Sequence, residues 1–104
     1  MDISKKIKIA FTLFIVMLVA DTYGQSNNFK VTLDAGHGGH DFGANYSGRV
    51  EKNIALAIVL KVGKILEAYS KIDVIYTRKT DVFIDLIERA NIANRADSNI
   101  FVSI

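Results

Sequence analysis

The sequence predicts an α/β fold, in which a mainly parallel sheet is flanked by helices in three layers. Three short segments rich in β-branched or alternating apolar residues are separated by two longer segments whose apolar residues recur at helical spacing. This order of strand, helix, strand, helix and strand favours parallel pairing through right-handed crossovers. The βαβαβ unit is expected to be incomplete, because the third strand reaches the last residue given.

The first 24 residues have the pattern of an export signal. Three lysines, Lys5, Lys6 and Lys8, precede an apolar run at 9–20, and small residues follow it. The run is shorter than the ~20 apolar residues that a membrane-spanning helix needs. We therefore expect residues 1–24 to be a signal peptide cleaved after Gly24, which exposes Gln25 and leaves no stable membrane span. An uncleaved membrane anchor is the alternative.

The first strand is predicted at 29–34, where apolar and polar residues alternate with period two. From residue 35 to residue 50, glycine and asparagine interrupt every candidate period, so we expect a long loop. Loops of this length in a compact domain usually have a functional reason to exist.

A helix is predicted at 51–69, with its buried face formed by Ile54, Ile58, Val62, Ile65 and Leu66. Its charged residues lie largely off that face; they are Lys52, Lys61, Lys64 and Glu67.

The second strand is predicted at 72–77 and the third at 100–104, both rich in β-branched residues. Between them, residues 84–96 are predicted to form a helix. Its apolar stripe consists of Leu86, Ile87, Ala90 and Ala93. Arg89 and Arg95 are expected to point toward solvent or toward a partner carboxylate.

Composition excludes several classes of protein. Thirteen basic and 11 acidic residues give a net charge of +2 on 104 residues, so no nucleic-acid partner is expected. The absence of cysteine excludes disulfides, so an exported chain of this size must be held by its core, a metal or a partner.

The chemistry is expected at the carboxyl edge of the sheet, where ligands bind in open parallel sheets. His37 follows the end of the first strand, and Glu51 opens the first helix, where the helix dipole favours a carboxylate. Imidazole and carboxylate are both ordinary zinc ligands. The pair matches no short metal motif, so a histidine that only hydrogen-bonds its loop is the alternative. A dinucleotide loop is disfavoured, because Gly36 and Gly38 are followed by Asp41 where a third glycine is required.

Three stretches carry a family resemblance: "LDAGHGGHDFGA", "EKNIALAI" and "VIYTRKTDVFIDLIERANIANRADSNIFVSI". In order and spacing they resemble the zinc-dependent N-acetylmuramoyl-L-alanine amidases. These cell-wall hydrolases cut the amide bond between N-acetylmuramic acid and the first L-alanine of the stem peptide. The resemblance runs over residues 30–104 and corresponds to the N-terminal half of the catalytic domain.

The resemblance implies that His37 and Glu51 are zinc ligands. The third ligand of the family is a histidine directly after the pair that corresponds to Ser103 and Ile104, and the catalytic glutamate lies further on. Residues 25–104 are therefore expected to be a truncated N-terminal part of the catalytic domain, with Zn²⁺ as cofactor and no catalytic residue of its own. The resemblance also implies peptidoglycan as substrate, a periplasmic or envelope location, and an inactive fragment when the chain is alone.

The roles of several other polar residues follow less directly. His40 is expected to be a solvent-facing or substrate-side residue, with an accessory metal contact as the alternative. Arg78, Asp81 and Arg89 match family positions and are interpreted as structural pairs that fix a loop. Asp34 is a candidate acceptor for the ring N–H of His37, with turn capping equally open.

Two other functions stay open at this point. One is a non-enzymatic, truncated envelope protein that keeps only the first half of the fold. The other is a different zinc peptidoglycan hydrolase on a similar sheet, such as a carboxypeptidase, which product analysis would distinguish. An activator protein is not identified by the sequence.

Overall fold

The structure is a computed structural model that describes residues 1–23 and 27–104, with side chains in the first helix described up to residue 17. The predicted cleavage point after Gly24 and the new terminus at Gln25 lie outside the described residues. Helix α1 (Ile3–Tyr23) covers the apolar run of the predicted signal. Among the described residues, no helix is both long and apolar enough to cross a membrane.

The sheet confirms the predicted α/β fold. Its strands are β1 (Phe29–Asp34), β4 (Ile72–Tyr76) and β5 (Ile100–Ser103), in the spatial order β4-β1-β5. Both pairings are parallel, and Val31 lies opposite Val74 on one side and Ile100 on the other. Strand β1 has the predicted bounds, whereas β4 and β5 each end one residue earlier than predicted.

One face of β1 is apolar. Val31, Leu33 and Ala35 form a buried cluster with Val59 of helix α2 (Glu51–Glu67). Partly buried apolar residues surround this cluster: Leu56, Val62, Leu66, Ile72, Val74, Tyr76 and Val102. Burial of this apolar area is the main source of stability for the sheet and α2.

The opposite face of β1 is polar and lies under helix α3 (Leu86–Arg95) and the segment that follows it. The Thr32 hydroxyl forms a short hydrogen bond with the Ser98 hydroxyl, and Asp34 pairs with Arg89. Both Thr32 and Asp34 are buried, so these polar contacts satisfy groups that would otherwise be costly to bury.

The predicted buried face of α2 is confirmed only in part: Val62 and Leu66 are partly buried against the core, and the three isoleucines are not. Ile54, Ile58 and Ile65 are exposed, and the helix instead buries Lys52, Ala55, Val59 and Gly63. The reason is close packing: a Cβ at Gly63 would lie 2.0 Å from the hydroxyl oxygen of Tyr76 in β4. Small residues therefore face the sheet, and the larger isoleucines turn outward. The helix also ends at Glu67 rather than at residue 69.

The predicted stripe of α3 is confirmed only at Ala93. Leu86, Ile87 and Ala90 are exposed, while Ala93 is buried as predicted. The helix starts at Leu86, because the side chain of Asp85 accepts a hydrogen bond from the Ile87 N–H and caps the first turn. The buried side of α3 includes Arg89, whose charge is matched by Asp34.

The predicted loop at 35–50 contains a small hairpin. Strands β2 (Asn45–Tyr46) and β3 (Arg49–Val50) pair antiparallel and lead directly into α2. The turn uses Ser47 and Gly48, both with positive φ, as two-residue hairpin turns require.

Candidate metal centre

The two predicted ligands meet at the carboxyl edge of β1. Nε2 of His37 lies 3.2 Å from Oε1 of Glu51. His37 is carried by the loop after β1, and Glu51 is the first residue of α2. The hairpin returns the chain to this point, since the Glu51 N–H donates to the Ala44 carbonyl and the Lys52 N–H to the Phe42 carbonyl.

The other ring nitrogen of His37 is held by Asp41. Nδ1 lies 2.9 Å from Oδ2 of Asp41, and Oδ1 of Asp41 accepts the Gly43 N–H. An ionised carboxylate only accepts hydrogen bonds, so we assign the proton to Nδ1. The bond to Asp41, opposed by desolvation and helped by the charges of Asp41 and Glu51, raises the pKa of His37. The bond from His37, followed by that from Gly43, lowers the pKa of Asp41.

The second oxygen of Glu51 is also fixed. Oε2 accepts the Ala44 N–H at 2.7 Å, and this backbone bond is the main reason that the pKa of Glu51 is lowered. Space for the carboxylate depends on Gly43, where a Cβ would lie 2.7 Å from both Oε2 of Glu51 and Cδ2 of His37. Gly43 has φ of 65°, a conformation that side chains other than glycine rarely adopt.

The facing atoms fit a cation. When Nδ1 carries the only ring proton, Nε2 has a lone pair and can bind a cation together with the Glu51 carboxylate oxygen. When both ring nitrogens are protonated, the same contact is an ion pair. Tetrahedral zinc with ordinary Zn–N and Zn–O lengths places two such ligand atoms about 3.4 Å apart. The observed 3.2 Å is close to that separation. Within residues 1–23 and 27–104, however, no group of three His, Cys, Asp or Glu side chains is placed to hold a metal.

His37 and Glu51 line a cleft of about 500 Å³. Its polar lining includes His37, Asp41 and Glu51, and its apolar lining includes Phe83 and Leu86. The cleft can therefore receive a ligand that has both polar and apolar parts.

Asp34 does not accept the ring N–H of His37, and that prediction is wrong. Asp34 points to the polar face of β1, where it accepts hydrogen bonds from Thr77, Arg89 and Ser103. Because alternate residues of a strand face opposite sides, the last residue of β1 is directed toward α3 and away from the His37 ring. The acceptor is Asp41, four residues after His37.

His40 is exposed, as predicted for a polar residue on the solvent or substrate side. Its ring packs against Phe83, with centroids 4.3 Å apart and planes tilted by 46°. Phe83 lines the cleft, so His40 contacts one residue of the cleft wall.

The predicted structural role of the arginines is seen in part. Arg89 pairs with Asp34, whereas Arg78 donates to backbone carbonyls and Asp81 pairs with Lys52 at 2.8 Å. Lys52 was predicted to lie off the buried face of α2, but it is buried and also lies 4.0 Å from the centre of the Phe42 ring.

Sequence reasoning missed Asp41 and Lys52. A signal for Asp41 exists, because a metal-binding histidine usually donates its second ring N–H to a carboxylate or carbonyl, and Asp41 shares the loop with His37. No simple sequence signal marks Lys52 as buried, since lysine in the first turn of a helix is normally solvated.

Comparison with known proteins points to one family. The family model described as N-acetylmuramoyl-L-alanine amidase matches residues 31–104. An endolysin from Bacillus phage SPP1 is 51% identical over 74 residues, which cover 71% of this chain and 27% of the endolysin. The N-acetylmuramoyl-L-alanine amidase AmiA of Escherichia coli K12 is 44% identical over 75 residues, covering 71% of this chain and 26% of AmiA.

Solved structures agree. The crystal structure of an N-acetylmuramoyl-L-alanine amidase from Clostridium difficile 630 superposes with a TM-score of 0.72 at 38% identity, over 75% of this chain and 43% of that one. The catalytic domain of CwlV, an amidase from Bacillus (Paenibacillus) polymyxa var. colistinus, gives 0.70 at 42% identity, over 72% and 43% of the two chains. The chain therefore spans less than half the length of each of these four relatives.

Proposed function

Because the chain belongs to the N-acetylmuramoyl-L-alanine amidase family, we propose that it acts in hydrolysis of the amide bond between N-acetylmuramic acid and L-alanine in peptidoglycan. Residues 25–104 are the N-terminal part of the zinc amidase catalytic domain in this proposal. Residues 1–24 are the export signal, which directs the chain to the periplasm or cell envelope. Support for export comes from Lys5, Lys6 and Lys8 before the apolar run, and from the wall polymer that the proposed reaction requires.

One observation carries the proposal: His37 Nε2 and Glu51 Oε1 approach to 3.2 Å at the sheet edge where ligands bind. We assign these two atoms as zinc ligands. Bound there, zinc supplies Lewis acidity toward an amide carbonyl and lowers the pKa of a bound water toward ~7. Asp41 fixes the imidazole orientation through Nδ1, and the Ala44 N–H fixes the carboxylate through Oε2.

The cleft supports an extended substrate. It is open and lined by both polar ligand residues and the apolar Phe83 and Leu86, a combination suited to a sugar-linked peptide rather than to a small ion. The lactyl-alanine amide is placed over His37 and Glu51 in this proposal, with the apolar wall against the methyl groups of the lactyl and alanyl units.

A second candidate is a non-catalytic envelope protein. One observation favours it: in the described part of the chain, no third histidine or carboxylate joins His37 and Glu51. Two protein ligands hold zinc weakly, since catalytic sites commonly use three. The two candidates differ in what the 104 residues do alone and in what they do when a third ligand is supplied.

The first test measures metal binding by the 104-residue chain. Zn²⁺ is titrated in competition with a chromogenic chelator for the wild type, His37→Ala, Glu51→Gln and the control His40→Ala. Loss of either ligand is expected to weaken binding at least 10-fold, because one remaining ligand cannot retain the ion. His40→Ala should bind as the wild type does. Equal affinity in His37→Ala and wild type would refute the ligand assignment.

The second test measures catalysis. The chain alone is expected to release no stem peptide from purified cell wall. A chimera that continues after Ile104 with the corresponding residues of the Clostridium difficile amidase is expected to release intact stem peptides, and His37→Ala in the chimera should abolish release. Cleavage within the peptide would favour another peptidoglycan hydrolase. A chimera that binds zinc and holds its fold but leaves the wall intact would favour the non-catalytic candidate.

A further inference from the structure

The loop that carries His37 is held through its backbone carbonyls. The Ala35 carbonyl accepts from Nε of Arg78 at 2.9 Å and from Nη1 of Arg89 at 2.6 Å. The Gly36 carbonyl accepts from Nη2 of Arg78 at 2.7 Å, and the His37 carbonyl from Nη2 of Arg89 at 2.8 Å. Three successive carbonyls are thus bound by two guanidinium groups, each on a residue that is buried.

The same contacts reach the segment that carries Glu51. Nη2 of Arg78 also donates to the carbonyl of Lys52, the residue after Glu51, at 3.0 Å. The ammonium of Lys52 returns to the loop, donating to the Gly39 carbonyl at 2.9 Å and to Asp81 at 2.8 Å. Asp81 in turn accepts the Gly39 N–H. The loop and the start of α2 are therefore tied together by buried cations rather than by direct backbone pairing alone.

This arrangement matters because His37 has an unfavourable backbone conformation. Its φ is 59°, in the left-handed region that residues with a side chain rarely adopt. Such a conformation persists only where the surroundings over-determine it, and it is found most often at functional sites. The carbonyls on both sides of the His37 Cα, those of Gly36 and His37, are each bound by an arginine.

We infer that Arg78 and Arg89 are positioning residues that, with Lys52, form a carbonyl clamp holding His37 Nε2 opposite the Glu51 carboxylate. The inference rests on the proposed zinc site for its purpose. The clamp itself is defined by the contacts above. Arg89 also lines the cleft. The hydrogen bonds of both arginines go to backbone carbonyls and to Asp34 rather than to the side chains of His37 and Glu51, so they act on the site through the backbone.

Arginine is required for this geometry. Arg78 uses Nε, Nη1 and Nη2 to reach four carbonyls, those of Ala35, Thr80, Gly36 and Lys52. A planar fork with five donors can do this, whereas a lysine ammonium at the end of a flexible stem cannot span the same positions. Arg→Lys substitutions therefore keep the charge and remove the clamp geometry.

The test uses the full 104-residue chain, metal-free and ¹⁵N-labelled. Amide hydrogen exchange is measured at Gly38, whose N–H donates to the backbone carbonyl of Asp41, and at Ala44, whose N–H donates to the carboxylate of Glu51. In Arg78→Lys and Arg89→Lys, exchange at these two amides is expected to accelerate at least 10-fold more than exchange within α2. Lys52→Met provides a milder variant, with a smaller effect of the same sign confined to Gly38.

Two controls separate positioning from general stability. Arg95→Lys changes an exposed arginine of α3, the helix that also carries Arg89. Arg95 pairs with Glu88 rather than with the loop, so exchange at the Gly38 and Ala44 amides should be unchanged. Val59→Ala lowers global stability through a core cavity and should accelerate loop and α2 amides together. Loop exchange that rises in the arginine variants only in step with α2, as in Val59→Ala, would overturn the clamp.

A second readout tests the purpose of the clamp. The Zn²⁺-dependent shift of the His37 Nε2 resonance is expected to require 10–100-fold more zinc in Arg78→Lys and Arg89→Lys, the range found when residues supporting metal ligands are changed. Val59→Ala should not alter it in the folded chain. If wild type and His37→Ala bind zinc equally, the proposed zinc function fails while the exchange data still decide the clamp. If the wild type binds zinc through His37 and the folded arginine variants bind it with the same affinity, the inferred positioning role of the arginines would be overturned.

Discussion

The strongest stability prediction concerns Asp34→Asn. The Asp34 carboxylate is buried at the end of β1 and accepts three hydrogen bonds, from the Thr77 hydroxyl at 2.7 Å, from Arg89 Nη1 at 2.9 Å and from the Ser103 hydroxyl at 2.7 Å. Asparagine has the same shape but no charge. The substitution therefore leaves the buried guanidinium of Arg89 without its counterion while the packing volume stays the same.

The magnitude follows from these contacts. Thr77 can still donate to the amide oxygen, and the Ser103 hydroxyl can rotate to accept from the amide nitrogen, so those bonds survive in neutral form. The loss lies in the charge pair with Arg89. Removing one partner of a buried ion pair costs roughly 3–5 kcal/mol. Domains of this size are stable by roughly 5–15 kcal/mol, so Asp34→Asn is expected to remove a large fraction of the stability.

The effect depends on pH. Burial raises the pKa of Asp34, but the hydrogen bonds from Ser103, Thr77 and Arg89 together outweigh it, so the pKa in the folded chain lies below the usual value. A depressed pKa stabilises the fold above the unfolded-state pKa of about 3.9, and that stability is lost as pH falls through the folded-state pKa. The gap between wild type and Asp34→Asn should thus be full at pH 7 and narrow below about pH 4.

Urea unfolding followed by circular dichroism measures this. With a slope of about 1–3 kcal/mol/M, the midpoint at pH 7 should fall by roughly 2 M. The control is Glu88→Gln, which breaks the exposed pair with Arg95 in the same helix and should leave the midpoint unchanged. A midpoint for Asp34→Asn within error of wild type, or a gap that widens in acid, would refute the reasoning.

Three further predictions concern the surroundings of Gly63, Tyr76 and Gly38. Gly63→Ala should destabilise the wild type, because its Cβ would lie 2.0 Å from the Tyr76 oxygen. In a Tyr76→Leu background the same change should stabilise the chain by up to about 1 kcal/mol through helix propensity. Urea unfolding of all four chains measures both effects, and an effect of the same sign in both backgrounds would contradict the prediction. Burial and then the bond to Glu67 raise the pKa of Tyr76 to about 12, so absorbance at 295 nm should show Glu67→Gln lowering it only partway toward 10. That raised pKa adds stability below about pH 10, which is lost as pH rises toward 12. Gly38→Ala places a Cβ 2.0 Å from a backbone carbonyl oxygen, whereas the Cβ of Gly48→Ala meets open space. Gly38→Ala should therefore lower the stability of the fold more than Gly48→Ala does. Equal losses of stability in thermal unfolding would contradict this.

Local patterns predicted the strands well and the helix faces poorly. Strand β1 alternates between one apolar and one polar face, and both faces are used in the fold, so its period fixed its bounds. Helix α2 has apolar residues on several sides, so periodicity could not choose among them. Tertiary contact with Tyr76 chose the side with Gly63, a selection that depends on how closely two elements approach.

The site shows the same division. His37 and Glu51 were predicted by position at the sheet edge and by family resemblance, and the structure brings their ligand atoms within 3.2 Å. Asp34 was a candidate acceptor for the His37 ring N–H, with turn capping equally open, and in the structure the acceptor is Asp41. His37 has a left-handed backbone with φ of 59°, and a tertiary constraint of this kind leaves no periodic trace in the sequence.

The central position of β1 has a kinetic consequence. It is the first strand of the sheet along the chain, yet both of its neighbours come much later: Asp34 contacts Thr77 across 43 positions, and Lys30 contacts Asn99 across 69. The entropy of closing such loops must be overcome before any strand pairing is gained, so sheets of this topology form slowly. During synthesis β1 has no strand to pair with until β4 has emerged, and its second edge stays unpaired until residue 100 has emerged. Helix α2 is built from local contacts and can form before the sheet on which it packs.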